Sequence, residues 1–260
     1  MSVQPLDEKK LHAFMTRIVG DVSASMISLL CNIGDRLGLF KWLAASGPGS
    51  SGELAGGCGI NPRYAEVWLR ALTSAGYLEY DAATKRYCLP AEHAMALARE
   101  GGPMFVGGIY HQLPALVAPL DLLVQAFKYG GGVPQAAYPP SFWDGLERFT
   151  GTWFENLLVQ EWLPAVPEVE VALSRGARVA DVGSGRGRAL VKLARAFPSS
   201  RFVGFDAFEP TIGVARANAQ SAGVADRVSF ECLDVVEGLS ENYDLITAFD
   251  VLHDMMDPCC

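Results

Sequence analysis

Paired cysteines, excess positive charge and long uncharged apolar runs are all missing from this chain. Six cysteines occur in 260 residues, and Cys31, Cys58, Cys88, Cys232, Cys259 and Cys260 form no C-x-x-C pair. Neither a zinc ribbon nor a dithiol redox motif is therefore spelled out. The thiols read as reduced and the protein as cytoplasmic, with Cys259 and Cys260 adjacent by chance rather than as a metal pair. The formal net charge is −8. Residues 1–95 hold nine acids and nine bases, so the remainder carries 20 acids against 12 bases. Such a balance repels nucleic acid. No apolar run is read as reaching transmembrane length, and the polar residues 1–10 lack a signal-peptide pattern, so no membrane partner is expected. Half the residues are hydrophobic, enough for the cores of two modest domains.

Glycine is plentiful, and its spacing is informative. Residues 178–190 read Arg-Val-Ala-Asp-Val-Gly-Ser-Gly-Arg-Gly-Arg-Ala-Leu. A short β-type run feeds a loop with Gly183, Gly185 and Gly187 at alternate positions, and a helical pattern follows. Glycines let a backbone pass close to a ligand, and a helix start offers free N–H groups. A dinucleotide fingerprint would need a third glycine or alanine where Arg188 stands, which disfavours a nicotinamide enzyme.

Three further pieces follow in order. Residues 201–206 form a strand-like run ending in Asp206, placed to accept ribose hydroxyls or to sit at the next helix N-terminus. Val228, Phe230 and Cys232 alternate with polar residues, as in a half-exposed edge strand, and Asp234 follows. Residues 244–250 read as a buried-type strand ending near Asp250, with His253 and Asp254 just beyond. Helical spacing of Leu190, Leu193, Ala194 and Phe197, and of Ile212, Ala215, Ala219 and Ala222, fills the gaps. The order strand, helix, strand, helix, strand, connection, strand predicts an α/β Rossmann-like domain, part of a doubly wound sheet with its ligand at the strands' carboxyl ends.

The N-terminal half is mainly α-helical. Leu11, Phe14, Met15 and Ile18 suggest one helix; Met26, Leu29, Leu30, Ile33 and Leu37 suggest a second, capped by Ser23. A short helix surrounds Glu53, Asn61-Pro62 opens another, and residues 77–80 and 85–89 form a hairpin. This is the layout of a winged helix-turn-helix. Its second helix offers only Arg63 and Arg70, with Glu66 between, so DNA reading is the weaker alternative. Residues 104–128 read as helix broken by Pro114 and Pro119, and residues 141–163 are rich in aromatics. Tyr138, Trp143 and Trp153 could stack on an acceptor or simply pack the core.

The D-x-G-x-G-x-G loop and His253-Asp254 resemble the class I S-adenosylmethionine (SAM) dependent methyltransferases with an N-terminal winged-helix domain. The plant-type O-methylating members carry a lysine and a tryptophan where this chain has Phe249 and Met255; the bacterial type, with Asp-x-x-His-Asp, is closer. The resemblance implies a winged-helix dimerisation domain over residues 1–100. It implies a helical linker and pocket wall over 101–170, and a SAM-binding domain over 171–260. It implies a homodimer methylating a small-molecule acceptor, a hydroxyl in the O-methylating members. Asp181, Gly183, Gly185 and Gly187 would serve the methionine part, Asp206 the ribose, and Ala207, Val235 and Asp234 the adenine, with Asp250 a further contact. His253 would be the base and Asp254 would orient it. The family's domain has seven strands and four are present, so the expectation is a truncated chain better supplied for cofactor binding than for turnover.

Overall fold

The computed structural model describes residues 6–239 and 241–255; Cys259 and Cys260, and residues 1–5, lie outside the described residues. The chain divides into two compact units, residues 1–100 with 104–120, and residues 101–103 with 121–260. The segment 101–170 is thus shared between two bodies rather than forming one of its own.

The first unit begins with α1 (Glu8–Arg36), where the Asp7 carboxylate accepts the Lys9 and Lys10 N–H groups as N-cap. Two helices were expected here and one forms. The Ser23 hydroxyl donates to Val19 O inside the helix, so the expected cap is spent on a preceding turn. Next come α2 (Leu39–Ser46), α3 (Ser51–Cys58) and α4 (Pro62–Ser74). A Ser50–Glu53 capping box starts α3; Asn61 with Pro62 starts α4. Strands β1 (Glu79–Asp81) and β2 (Arg86–Cys88) pair antiparallel, Tyr80 opposite Tyr87, as the wing. The unit closes with α5 (Ala91–Leu97) and α6 (Gly107–Val117).

Its core gathers Phe40, Leu43, Leu54, Trp68, Leu69 and Leu72, with Phe40 edge-on to Trp68 at 5.1 Å. Pro114 was expected to break a helix but lies inside α6. Proline supplies no N–H to the carbonyl four residues back. That carbonyl, Tyr110 O, instead accepts the side-chain amide of buried Asn32 at 2.6 Å. One turn of α6 is thereby satisfied by α1. On α4, Arg70 is paired with Glu66, which leaves this face little positive charge for DNA. By length and composition alone α1 is long and apolar enough to cross a membrane, an exception to the expectation drawn from the sequence. Its last turns are core instead, with Cys31, Asn32 and Gly34 buried, while Phe14, Val19, Val22 and Met26 are exposed.

The second unit contains α7 (Leu120–Tyr129), none of whose residues is buried, and α8 (Pro140–Trp153). The latter runs on as a π-helix over Phe154–Trp162, where Leu163 N–H reaches back five residues to Leu158 O. After α9 (Pro167–Arg175) the sheet begins: β3 (Arg178–Val182), α10 (Arg188–Ala196), β4 (Arg201–Asp206), α11 (Glu209–Ser221), β5 (Val228–Cys232) and β6 (Leu245–Ala248). All pairings are parallel, in the order β5-β4-β3-β6. Every third or fourth residue of α10 and α11 faces the sheet, so Leu190, Leu193, Ile212 and Ala215 close over Val179, Phe202 and Phe230. β5 is an edge strand with Val228 and Phe230 in and Ser229 and Glu231 out, as its alternation implied. β6 is the other edge among the described residues. The buried strand expected there is half exposed, with Ile246 56% accessible, because β3 alone pairs with it.

Candidate functional site

The site lies where β3 and β4 end side by side, Val182 opposite Phe205. The chain leaves β3 through Gly183, Gly185 and Gly187, all at positive φ (66°, 51° and 74°). Each conformation disfavours a side chain, and the three glycines have different neighbours. At Gly183 a Cβ would meet Val251 at 2.3 Å. At Gly185 there is open space, and its N–H donates to the Asp206 carboxylate at 2.9 Å. At Gly187 a Cβ would sit 2.4 Å from the Phe230 ring. Gly187 therefore brings α10 down onto β5 and does not line the cleft. Gly187→Ala is expected to destabilise the fold by about 1–3 kcal/mol, read as a lower melting temperature. An unchanged melting curve would refute this packing role.

Asp206 is held on both oxygens. One accepts Gly185 N–H and the other Phe208 N–H, each at 2.9 Å. Its remaining lone pairs are available to a ligand. Asp181, one strand over, is 2% exposed and accepts the Thr247 hydroxyl at 2.7 Å. Burial, eased by that bond and reinforced by the Asp206 charge, pushes its pKa up to about 7.

Asp181, Gly183, Gly185, Asp206, Asp250 and Asp254 border one cleft of about 310 Å³, at the lower end for ligand pockets. Its opposite wall is α8 and the π-helix, which contribute Trp143, Trp153, Phe154 and Trp162. Trp143 packs tilted against Phe208 at 5.1 Å, and Trp162 stacks on Phe249 at 6.1 Å. Tyr138 instead leans on Phe142. Ala207, Asp234, Val235 and His253 do not line the cleft. Asp234 instead caps a 3-10 turn through Val236 N–H. His253 is 64% exposed, with Nδ1 3.6 Å from Asp250 and Nε2 3.5 Å from Asp254. A short 3-10 turn, Leu252–Asp254, turns Asp254 rather than His253 toward the cavity.

Sequence reasoning missed Glu147, Ser184 and Arg186, all bordering the cleft. Among buried polar atoms with no partner in the described residues are Trp143 Nε1, Ser184 Oγ and Arg186 Nε. The signal was present as a pair of acids, Asp144 and Glu147, three apart on a helix, and an Arg-x-Arg in the glycine loop.

Comparison with known proteins agrees with this geometry. Residues 25–99 match the Rv2258c-like winged HTH domain, and residues 173–260 a methyltransferase domain. The chain is 29% identical over 230 residues to a 3-hydroxy-5-methyl-1-naphthoate 3-O-methyltransferase of Streptomyces sahachiroi. That match covers 84% of this chain and 62% of the relative, so the chain spans less than two thirds of the relative's length. An O-methyltransferase family protein from Burkholderia thailandensis has the same fold, with a TM-score of 0.65 at 19% identity over 92% of this chain and 71% of that one. So does human N-acetylserotonin methyltransferase in complex with SAM, at 0.60 and 18%, over 98% of this chain and 74% of that one. Both domain matches fall in the expected order, so the chain carries a winged HTH domain followed by a methyltransferase domain and is similar to SAM-dependent methyltransferases of that layout.

Proposed function

We propose that this protein transfers the methyl group of SAM to a small-molecule acceptor, a hydroxyl compound in the leading case. The observation that carries the reading is the tie between glycine loop and acid: Gly185 N–H fixes Asp206 at the mouth of an acid-rich, aromatic-walled cleft. The residues fit the cofactor. SAM is a cation, and Asp181, Asp206, Asp250 and Asp254 border the cleft. Its carboxylate needs donors, and unpartnered donors are found on Trp143, Ser184 and Arg186.

Bound SAM supplies an electrophilic methyl on a positively charged sulfur, so positioning does most of the catalytic work. Asp206 would accept the ribose hydroxyls, and Asp181 would face the cationic end. The indole and phenyl rings of the opposite wall would exclude water and hold an apolar acceptor. If the acceptor is a hydroxyl, His253 would take its proton, with Asp250 and Asp254 favouring the charged ring that forms. Using His253 requires a turn of the ring toward the cavity. The exposed apolar side chains of α1 suit a second copy of the chain and support a homodimer through the N-terminal unit.

Calorimetric titration of the protein with SAM and with its demethylated product, S-adenosylhomocysteine (SAH), tests the reading. One site per chain for each is the expected result. A folded protein that binds neither would overturn it.

A further inference from the structure

Two arginines flank the start of α10, Arg186 just before the capping Gly187 and Arg188 at the first helical position. Cations are disfavoured at a helix N-terminus, where the backbone already presents partial positive charge. Their placement needs another cause, and α8 supplies it. Arg186 Nη1 donates to Asp144 Oδ1 at 2.8 Å and to Glu147 Oε2 at 2.9 Å. Arg188 Nε lies 3.8 Å from Glu147 Oε1.

The four charges balance, and the inner pair is sheltered: the Arg186 side chain is 16% exposed and that of Glu147 is 23% exposed, while Asp144 and Arg188 are 49% and 42% exposed. Sheltered pairs are screened less by salt than surface pairs, and they are costly to break from one side. The Arg186 backbone is fixed as well, its carbonyl accepting the Asn218 side chain from α11. The loop segment is therefore anchored on the sheet side and extends one arm to the aromatic wall.

We infer that Arg186 is a positioning residue that fixes α8, and with it Trp143 and Trp153, to the cofactor loop, so that the acceptor wall closes in step with cofactor binding. The use of this latch rests on the methyl-transfer reading; its geometry does not. The coupling runs through two contiguous contacts: loop to Arg186, and Arg186 to the acids of α8. A loop settled by ligand therefore settles the wall that the acceptor would meet.

Amide hydrogen exchange along residues 140–153, with and without SAH, tests it. In the wild-type protein SAH is expected to slow exchange in this stretch by roughly fivefold or more, the low end of typical coupling between sites. Arg186→Gln is expected to bind SAH more weakly, because Arg186 also offers Nε to the ligand's carboxylate, yet at saturating SAH to show no added protection of α8. Arg186→Lys should restore part of it, since one ammonium replaces a two-pronged donor. If Arg186→Gln misfolds, the double variant Asp144→Asn with Glu147→Gln breaks the latch from the α8 side without touching the loop. Full protection by SAH in a latch-broken variant would overturn the inference, because a merely stabilising contact would leave the ligand effect intact. If the wild-type protein binds no SAH, the methyl-transfer reading fails, and the ligand-free comparison decides the latch alone. Faster exchange of α8 in Arg186→Gln would then support it, and equal exchange would overturn it.

Discussion

Asp206→Ala is expected to weaken both SAM and SAH, by roughly 100- to 10,000-fold, in a protein that remains folded. The range follows from losing two hydrogen bonds to a charged acceptor, each worth about 1.5–3 kcal/mol. Both ligands lose the ribose bonds they share, and SAM loses somewhat more because its charged sulfur also loses a nearby carboxylate. A second effect runs through the chain itself. Asp206 accepts the N–H groups of Gly185 and Phe208, so its removal also frees the glycine loop from β4. Asp206→Asn separates the two contributions. An amide has one acceptor oxygen, so it can keep one of the backbone bonds while its NH₂ opposes the other. Its affinity should fall between those of the wild type and Asp206→Ala, with nearly normal melting. Calorimetric titration of the three proteins with SAH, alongside thermal melts, reads both quantities. Unchanged affinity in folded Asp206→Ala would remove the ribose role, and with it the main support for the cofactor site.

The parts of this site carried by backbone geometry were legible in the sequence. Alternating glycines after a β-type run, and an acid at the end of the next, fixed Gly183, Gly185, Asp181 and Asp206 on the cleft, because parallel strands in consecutive βα units place their carboxyl ends together. Local signals with a single reading also held, such as Asn61-Pro62 opening α4. What failed depended on partners distant in sequence. Pro114 looks like a breaker until Asn32, 78 residues from Tyr110, satisfies the carbonyl it abandons. Ser23 looks like a cap until its hydroxyl turns back to Val19. Gly187 looks like a cofactor glycine until the Phe230 ring is seen beneath it. Arg186 stands in a visible Arg-x-Arg, but that pattern has no meaning until the acids 39 and 42 residues earlier are placed beside it. His253 and Asp254 are adjacent in sequence, but only the turn that holds them decides which one faces the cavity.

Asp181 should make cofactor affinity depend on pH near neutrality. Its carboxyl is fully sheltered, has one hydrogen-bond donor in Thr247, and faces the like charge of Asp206; together these hold its pKa at about 7. In the ligand-free protein it is therefore largely protonated below pH 7. A cationic ligand favours the ionised form, so SAM binding should release a proton below that pH and tighten as the pH rises. If only the ionised form binds, affinity at pH 8 exceeds that at pH 6 by roughly tenfold, flattening above pH 8. Stability runs the other way. The folded pKa lies above the ordinary aspartate value of 3.8, so the native state holds the extra proton. This group's contribution is full at low pH and is lost as the pH rises from about 4 to 7. Asp181→Asn keeps an oxygen for Thr247 and carries no charge at any pH. Without ligand it should melt higher than the wild type above pH 7. With SAM it should bind weakly and show a flat profile over pH 6–8. Titrations at three pH values in two buffers of different ionisation heat give the affinity and the proton count together. A wild-type profile already flat across that range would refute the coupling, as would a sloped profile that survives in Asp181→Asn.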